Sequence, residues 1–252
     1  MSSGNSLDGS VSIVTGAGGD IGAGIAVALA EAGSDVVLGV HNDQDVAGRI
    51  EELGQRAYEI QVDVEDADSV QSMIDETVAE FGGFDVLVNN AGIVTVAPIR
   101  ELTEEEWDRV MDVNAKGTFL VTKAALPHLV RASGTIVNVS SISGLTAAPD
   151  HSHYGASKHA IVGFTRALSR ELAPDDVTVN ALCPGIVYSK MWSDQMEPHK
   201  EESYEETVER VIPLGRDQTV EDMGQAAVYL ATAPNVTGET LAVDGGILQN
   251  TV

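Results

Sequence analysis

The sequence predicts a single α/β domain with a parallel β-sheet and helices on both of its faces. Short apolar runs rich in Val and Ile alternate along the chain with segments of helical period, and the connections between them are short. The first apolar run leads directly into a glycine-rich turn that opens a helix. With 252 residues, 43% of them hydrophobic, the chain has enough material for one substantial core, and no linker, repeat or low-complexity tract divides it.

Val11–Thr15 reads as the first strand, followed by the turn Gly16-Ala-Gly-Gly-Asp-Ile-Gly22 and a helix over Ala23–Ala32 that Gly33 closes. Val36–Val40 is a second strand, and residues 44–53 form a helix ending at Gly54. Tyr58–Val62 is the third strand, 67–81 the next helix, and Val86–Asn89 the fourth strand. One long helix is predicted over 103–131, opened by a capping box in which Thr103 is followed three residues later by Glu106. Thr135–Val139 is the fifth strand, and the pattern turns helical again from Tyr154. Val177–Leu182, a helix over 219–232 and Thr240–Val243 complete the series. Residues 190–216 are irregular, rich in Met, Trp, Glu and His, too polar for core and too long for a plain connection. A loop facing the substrate is the expectation there.

Fourteen Lys and Arg against 39 Asp and Glu give a net charge of −25, with the acids dispersed over helix faces. Such a surface repels nucleic acid and anionic lipid, so neither is expected as a partner. It suits a salt-loving organism, in which high ionic strength screens the self-repulsion. No apolar run approaches the ~20 residues a membrane span needs, and MSSGNSLDGS lacks the features of a secretory signal. A cytoplasmic location is expected. The lone cysteine, Cys183, ends an apolar strand with no base paired to it and is read as core. The histidines show no metal-ligand spacing, so no metal is expected. His151 and His153 precede Tyr154 and are read as solvated loop residues, with a substrate-pocket role open to them.

The fifth strand ends in Ser140 and Ser141, thirteen residues before Tyr154, and Lys158 follows Tyr154 by four. Residues four apart share a helix face, so the phenol and the ammonium project together. A free phenol, with a pKa of ~10, is a poor base at neutral pH, and a neighbouring cation favours its ionised form. Ser141 is suited to hold a carbonyl or alcohol oxygen in line with Tyr154. Strand, serine, phenol and ammonium together outline a proton-transfer site. After the first strand, the glycine turn would set backbone N–H groups and a helix N-terminus against a pyrophosphate.

Thr15-Gly16-x-x-x-x-Ile21-Gly22, Asp63, Asn89-Asn90-Ala91-Gly92, Asn114, Ser141, Tyr154-x-x-x-Lys158 and Pro184-Gly185 stand in the order and spacing of one motif set. That set resembles the short-chain dehydrogenase/reductase family, over about residues 8–248. The resemblance implies a Rossmann-type, doubly wound parallel sheet of about seven strands in one domain spanning 1–252, with 190–216 as its substrate loop. It implies hydride transfer between a nicotinamide dinucleotide and a carbonyl/secondary-alcohol pair, in a homotetramer built on the helices around 103–131 and 154–173.

By the same resemblance Tyr154 is the general acid/base, and Lys158 lowers its pKa and bonds the nicotinamide ribose. Ser141 orients the substrate oxygen, and Asn114 holds a water that links Lys158 to solvent. Gly16, Gly19, Asp20 and Ile21 lie at the pyrophosphate. Asp63 accepts from the adenine amino group, and Val64 adds a backbone contact. Asn90, Ala91 and Gly92 line the ribose side, the asparagines also bracing the strand end. Pro184, Gly185, Ile186, Val187 and Ser189 meet the carboxamide.

Two positions depart from the family pattern. Asp20 stands where glycine is usual, and its carboxylate would repel a pyrophosphate unless it turns away and caps the helix. Val40 stands where NAD-using relatives carry an aspartate for the ribose 2′-hydroxyl. Without that acid, and with His41 and Asn42 following, NADP(H) is favoured over NAD(H). For the small-molecule substrate, residues 184–192 and 213–216 resemble polyol and sugar dehydrogenases, whereas the segment from His41 resembles 3-oxoacyl thioester reductases. The acidic 197–209 stretch disfavours an anionic carrier, which puts a small polyol, sugar or hydroxyketone first and a 3-oxoacyl thioester second. A dinucleotide-binding redox sensor without turnover is the alternative from another class; the intact Ser141, Tyr154 and Lys158 set argues against it.

Overall fold

The computed structural model describes residues 6–41, 45–196 and 203–249. It is a single-domain α/β fold in which seven strands form one parallel sheet in the order β3-β2-β1-β4-β5-β6-β7. The strands are β1 Val11–Thr15, β2 Asp35–Val40, β3 Ala57–Gln61, β4 Val86–Asn89, β5 Thr135–Val139, β6 Thr178–Pro184 and β7 Thr240–Val243. The helices are α1 Asp20–Glu31, α2 Ala47–Glu52, α3 Ala67–Phe81, α4 Glu104–Met111, α5 Gly117–Ala132, α6 Ser152–Glu171, α7 Tyr204–Val211 and α8 Val220–Thr232.

The core lies on both faces of the sheet, as the near-continuous apolar strands require. Val14, Val36, Leu38 and Val88 pack against Ile25, Leu29, Ile50 and Met223, from α1, α2 and α8. Ile13, Val37, Leu87 and Ile136 point the other way, against Met73, Ile74, Val121 and Leu129 of α3 and α5. Alternation along β1 divides the two layers, since consecutive strand residues face opposite sides. On the first face α1 and α8 approach so closely that a Cβ on Gly224 would lie 2.6 Å from Ala28 Cβ.

Strand order reverses where β1 is flanked by β2 on one side and β4 on the other, and the crevice at the C-terminal strand ends there is where such sheets bind ligands. Every site segment leaves the sheet at that edge. The β4–β5 register sets Asn89 opposite Asn138, and Asn89 Nδ2 donates to Asn138 Oδ1 (2.8 Å) and to Thr122 Oγ1 (2.9 Å). Asn138 Nδ2 continues to Thr165 Oγ1 (2.9 Å). This buried chain ties α5, the sheet and α6 into one block.

Several boundaries differ from the sequence reading. The first helix starts at Asp20, with Gly19 as its N-cap, and the second spans only 47–52. The strand predicted over Val177–Leu182 runs over Thr178–Pro184, and α6 starts two residues before Tyr154. The helix predicted over 103–131 keeps its capping box at Thr103 but is interrupted by a π-helical turn at Asp112–Lys116. The 190–216 region, read as too polar for core, builds a small core of its own: Ile186, Val208 and Ile212 are buried with Trp192, Tyr204 and Val211 against them. Its helix α7 opens with a second capping box, Ser203 with Glu206. That box, and Tyr204, Val208 and Val211 at helical spacing, were the signal available in the sequence.

No helix among the described residues is long and apolar enough to cross a membrane.

Candidate active site

The glycine turn is fixed from below by β4. Gly16 has φ +65, and a Cβ there would meet Ala91 Cα at 2.8 Å, so both backbone conformation and space demand glycine. Thr15 Oγ1 accepts from the backbone N–H groups of Asn90 (3.1 Å) and Ala91 (3.2 Å). Asn90 Nδ2 donates to the carbonyls of Thr15 and Gly16, each at 3.0 Å. The Asn90 side chain therefore braces the turn rather than facing a ribose. As N-cap, Gly19 supplies no side-chain acceptor to α1, so the helix end is presented beside the turn without a capping side chain. A diphosphate fits such a cradle, because its oxygens supply the missing acceptors.

Asp20 does not cap α1. Its carboxylate instead accepts from the backbone N–H of Lys190 at 2.6 Å. The reason is positional: as the first residue inside the helix it cannot reach back as an N-cap side chain does.

The acid–base trio lies where β5 meets α6. Ser141 caps a short turn over Ile142–Gly144, its Oγ accepting from Ser143 N–H at 3.1 Å, and it also shares a side-chain hydrogen bond with Tyr154. Lys158 is buried, 5.6 Å from the Tyr154 ring centroid, and its Nζ donates to Val139 O at 3.1 Å. Ser140 Oγ donates to Lys158 O at 2.9 Å, pinning the helix to the strand end. Burial pushes the Tyr154 phenol up to about 12, against the Ser141 hydrogen bond, and pushes the Lys158 ammonium down to about 8. The phenol is thus raised rather than lowered: desolvation of the phenolate dominates, and the lysine charge is directed at a backbone carbonyl. A protonated phenol of this kind is an acid awaiting a basic oxygen.

Asn114 sits in the π-turn between α4 and α5 and is fully buried. Its Oδ1 accepts from Ile93 N–H (2.8 Å), and its Nδ2 donates to Ile93 O (2.9 Å) and Ser157 Oγ (3.0 Å). Ser157 Oγ in turn donates to Tyr154 O at 2.7 Å. A Cβ on Gly92 would stand 3.1 Å from Asn114 Oδ1 and 3.4 Å from Lys158 Nζ, so these three residues converge. The extra residue of a π-turn re-aims the side chain it carries, which is how Asn114 reaches across to the strand-end loop.

Of the remaining residues, Asp63 is exposed, with Oδ1 accepting from Glu65 N–H (2.9 Å), while Val64 is buried against the core. His41 is exposed at the end of β2, and Asn42 lies outside the described residues. Past Pro184, Gly185 N–H donates to Val243 O (2.9 Å) and Val187 bridges to Gln218. Ser189 Oγ accepts from Trp192 N–H at 3.2 Å. Cys183 is fully buried, as expected of a core residue.

His151 and His153 are not solvated. Both are buried, and His153 Nε2 lies 2.6 Å from Thr95 Oγ1 in the loop after β4. Burial lowers the His153 pKa, with the nearby His151 acting in the same direction and Glu106 against it. The position of His153, immediately before Tyr154 at a helix start, was the only clue in the sequence.

The arrangement can present a proton at a half-buried phenol, hold a substrate oxygen beside it, and receive a dinucleotide along the strand ends. Comparison with known proteins agrees with that. The family model for enoyl-(acyl carrier protein) reductase matches residues 16–248. The chain is 38% identical over 242 residues to the 3-oxoacyl-(acyl-carrier-protein) reductase FabG of Staphylococcus aureus, covering 93% of this chain and 96% of that one. It is 36% identical over 253 residues to versicolorin reductase stcU of Emericella nidulans, covering 95% and 96%. A crystal structure of a short-chain type dehydrogenase/reductase from Mycobacterium marinum superposes with a TM-score of 0.90 at 36% identity, covering 97% of each chain.

Proposed function

The chain belongs to the short-chain dehydrogenase/reductase family, an NAD(P)-dependent oxidoreductase by that membership, and on that premise we propose that it reduces a 3-oxoacyl thioester to the 3-hydroxyacyl thioester with NADPH. The sequence reading ranked a small polyol, sugar or hydroxyketone first and the thioester second. Relatives such as the FabG reductase support reversing that order.

The observation that carries the substrate half is the exposed large side chains around Ser189 and in the 190–216 region. Tyr188, Met191 and Leu214 are exposed by 54%, 42% and 61%. Apolar surface of this kind suits an acyl chain, whereas a polyol requires a wall of hydrogen-bonding side chains. The 190–216 region is the substrate loop in this reading.

A nicotinamide dinucleotide held along the strand ends would supply the hydride for the carbonyl carbon. Ser141 Oγ donates to the carbonyl oxygen and holds it in line with Tyr154 Oη. Tyr154 would give its proton to that oxygen as charge develops on it; the raised pKa keeps the phenol protonated at neutral pH, and the ammonium of Lys158 offsets the cost of forming the phenolate. Lys158, which donates to Val139 O, would turn to the cofactor's ribose and stabilise the phenolate that remains. Asn114 fixes the Ile93 backbone and the Ser157–Tyr154 contact; the phenolate would take its proton back by way of Lys158, which a water held at Asn114 would resupply from solvent. Gly16, Gly19 and Ile21 receive the diphosphate, Asp63 and Val64 the adenine, and Ala91 and Gly92 the ribose. Pro184, Gly185, Val187 and Ser189 receive the carboxamide.

The preference for NADPH rests on Val40 and His41 at the end of β2. The homotetramer rests on α5 and α6, where Phe119 is 43% exposed and meets Phe164 edge-on. The net charge of −25 supports a protein adapted to high salt.

The test is NADPH oxidation with 3-oxobutyryl-coenzyme A in molar KCl, against NADP+ and NAD+ reduction with a panel of polyols and sugars. A kcat/KM for the thioester at least tenfold above the best polyol is expected. The reverse ranking returns the polyol reading to first place.

A further inference from the structure

The glycine turn and the substrate loop are joined by one contact that spans 170 residues of sequence, Asp20 Oδ2 to the backbone N–H of Lys190 at 2.6 Å. Lys190 opens a helical turn that continues as a π-helical turn over Trp192–Met196. The first N–H groups of such a turn have no partners within it. Ser189 satisfies one of them, its Oγ accepting from Trp192 N–H (3.2 Å), while its carbonyl takes the first bond of the turn from Ser193 N–H (3.0 Å). Lys190 N–H falls to Asp20. A carboxylate accepting from a backbone amide makes a short, charge-assisted hydrogen bond, roughly twice as strong as a neutral one.

The rest of the loop anchor is on either side of this point. Val187 bridges Gln218, Gln218 N–H donates to Ile186 O (3.0 Å), and Ile186 is buried in the loop's own core. Trp192 packs edge-on against Tyr204 at 5.4 Å between centroids. Between these anchors, Tyr188 and Met191 are exposed at the rim. The one side chain from the dinucleotide half of the fold that holds this stretch is Asp20, among the described contacts.

We propose that Asp20 is a positioning residue that clamps residues 188–192 to the glycine turn and so sets the substrate-side wall of the pocket. The inference rests on the oxidoreductase reading of that pocket. It explains how a carboxylate is tolerated where the family pattern has glycine: its charge is committed to the Lys190 backbone N–H. It also makes the wall's position depend on the turn that binds the dinucleotide.

The test compares Asp20→Asn, which keeps an acceptor oxygen without the charge, with Asp20→Gly, which removes the acceptor and restores the family residue. The chain has two tryptophans, so all variants carry Trp107→Phe and Trp192 reports on the loop alone. Acrylamide quenching of Trp192 is expected to rise at least twofold in the glycine variant and to stay near the parent in the asparagine variant. In steady state, the glycine variant is expected to lose about tenfold in kcat/KM for the thioester, through KM, while its Kd for NADPH rises no more than twofold. The asparagine variant recovers most of that loss. Unchanged quenching in the glycine variant, or equal losses in both variants, overturns the clamp. If the parent reduces no thioester, the functional reading fails, and the quenching comparison still decides the clamp.

Discussion

Lys158 Nζ lies 5.6 Å from the centre of the Tyr154 ring and donates to Val139 O at 3.1 Å. The cation is therefore stored beside the phenol and bonded to the strand end, and the phenol remains protonated well above neutral pH. The site as built is an acid with its charge-stabilising partner one short movement away.

Replacing Tyr154 by Phe removes the proton and little else, since the ring is already packed and the hydroxyl bonds only within the site. Carbonyl reduction is expected to fall by about 10²–10⁴-fold, the usual worth of a positioned acid. Fluorescence titration should show NADPH binding within twofold of the parent. Retained turnover would move the proton donor elsewhere.

Lys158 loses its charge near pH 8, because burial favours the neutral amine. Below that pH the ammonium is present to stabilise a phenolate, and above it the charge is gone. The kcat/KM profile for reduction, which reports the free enzyme, should fall on its alkaline side with an apparent pKa of about 8. Lys158→Arg keeps its charge to pH ~12 and should carry that limb upward, whatever its absolute rate. A limb that stays in place in the arginine variant assigns it to another group.

His153 is neutral and fully buried, with its pKa lowered chiefly by burial. The unfolded chain takes up the proton first as pH falls through ~6.5, the ordinary histidine value. Stability present above that pH is therefore lost as pH falls from it toward the folded value. Thermal melts of the parent should show a steeper loss between pH 7 and 5 than melts of His153→Gln, which cannot titrate. Parallel curves would remove His153 from the acid response.

Asn114→Ala strips acceptors and donors from Ile93 and Ser157 in a buried place. Unpaired buried groups cost about 1–3 kcal/mol each, and partial relaxation makes a net loss of about 2 kcal/mol reasonable. For a domain of this size that is about 4–8 °C in Tm, together with reduced kcat as Tyr154 loses its support through Ser157. A melting temperature within about 1 °C of the parent by calorimetry would contradict the brace.

Much of the molecule is legible in one dimension. Apolar runs with glycine and capping signals between them placed all seven strands within a few residues, and the spacing of Ser141, Tyr154 and Lys158 brought them to one strand end and one helix face. The Rossmann-type order and the family followed from motifs whose chemistry is local: a turn that only glycine allows, an i,i+4 pair on a helix. These features are set by interactions within a few residues of chain, so a linear reading suffices for them.

Tertiary structure alone decided what those residues touch. The partner of Asp20 lies 170 residues away, beyond any periodicity. Asn114 reaches Ile93 because a π-turn shifts it, and no propensity distinguishes Asp112–Lys116 from the helix on either side. His153 looks like a loop residue until Thr95 and the packed start of α6 bury it. The direction of the Tyr154 shift was the farthest from the sequence reading, because a charge nearby and the water excluded around it act oppositely, and only packing fixes which is larger. Sequence by itself determined the sheet, the cradle and the identity of the proton-handling groups; their burial and long-range contacts, on which their pKa values and positions depend, exist only once distant segments meet.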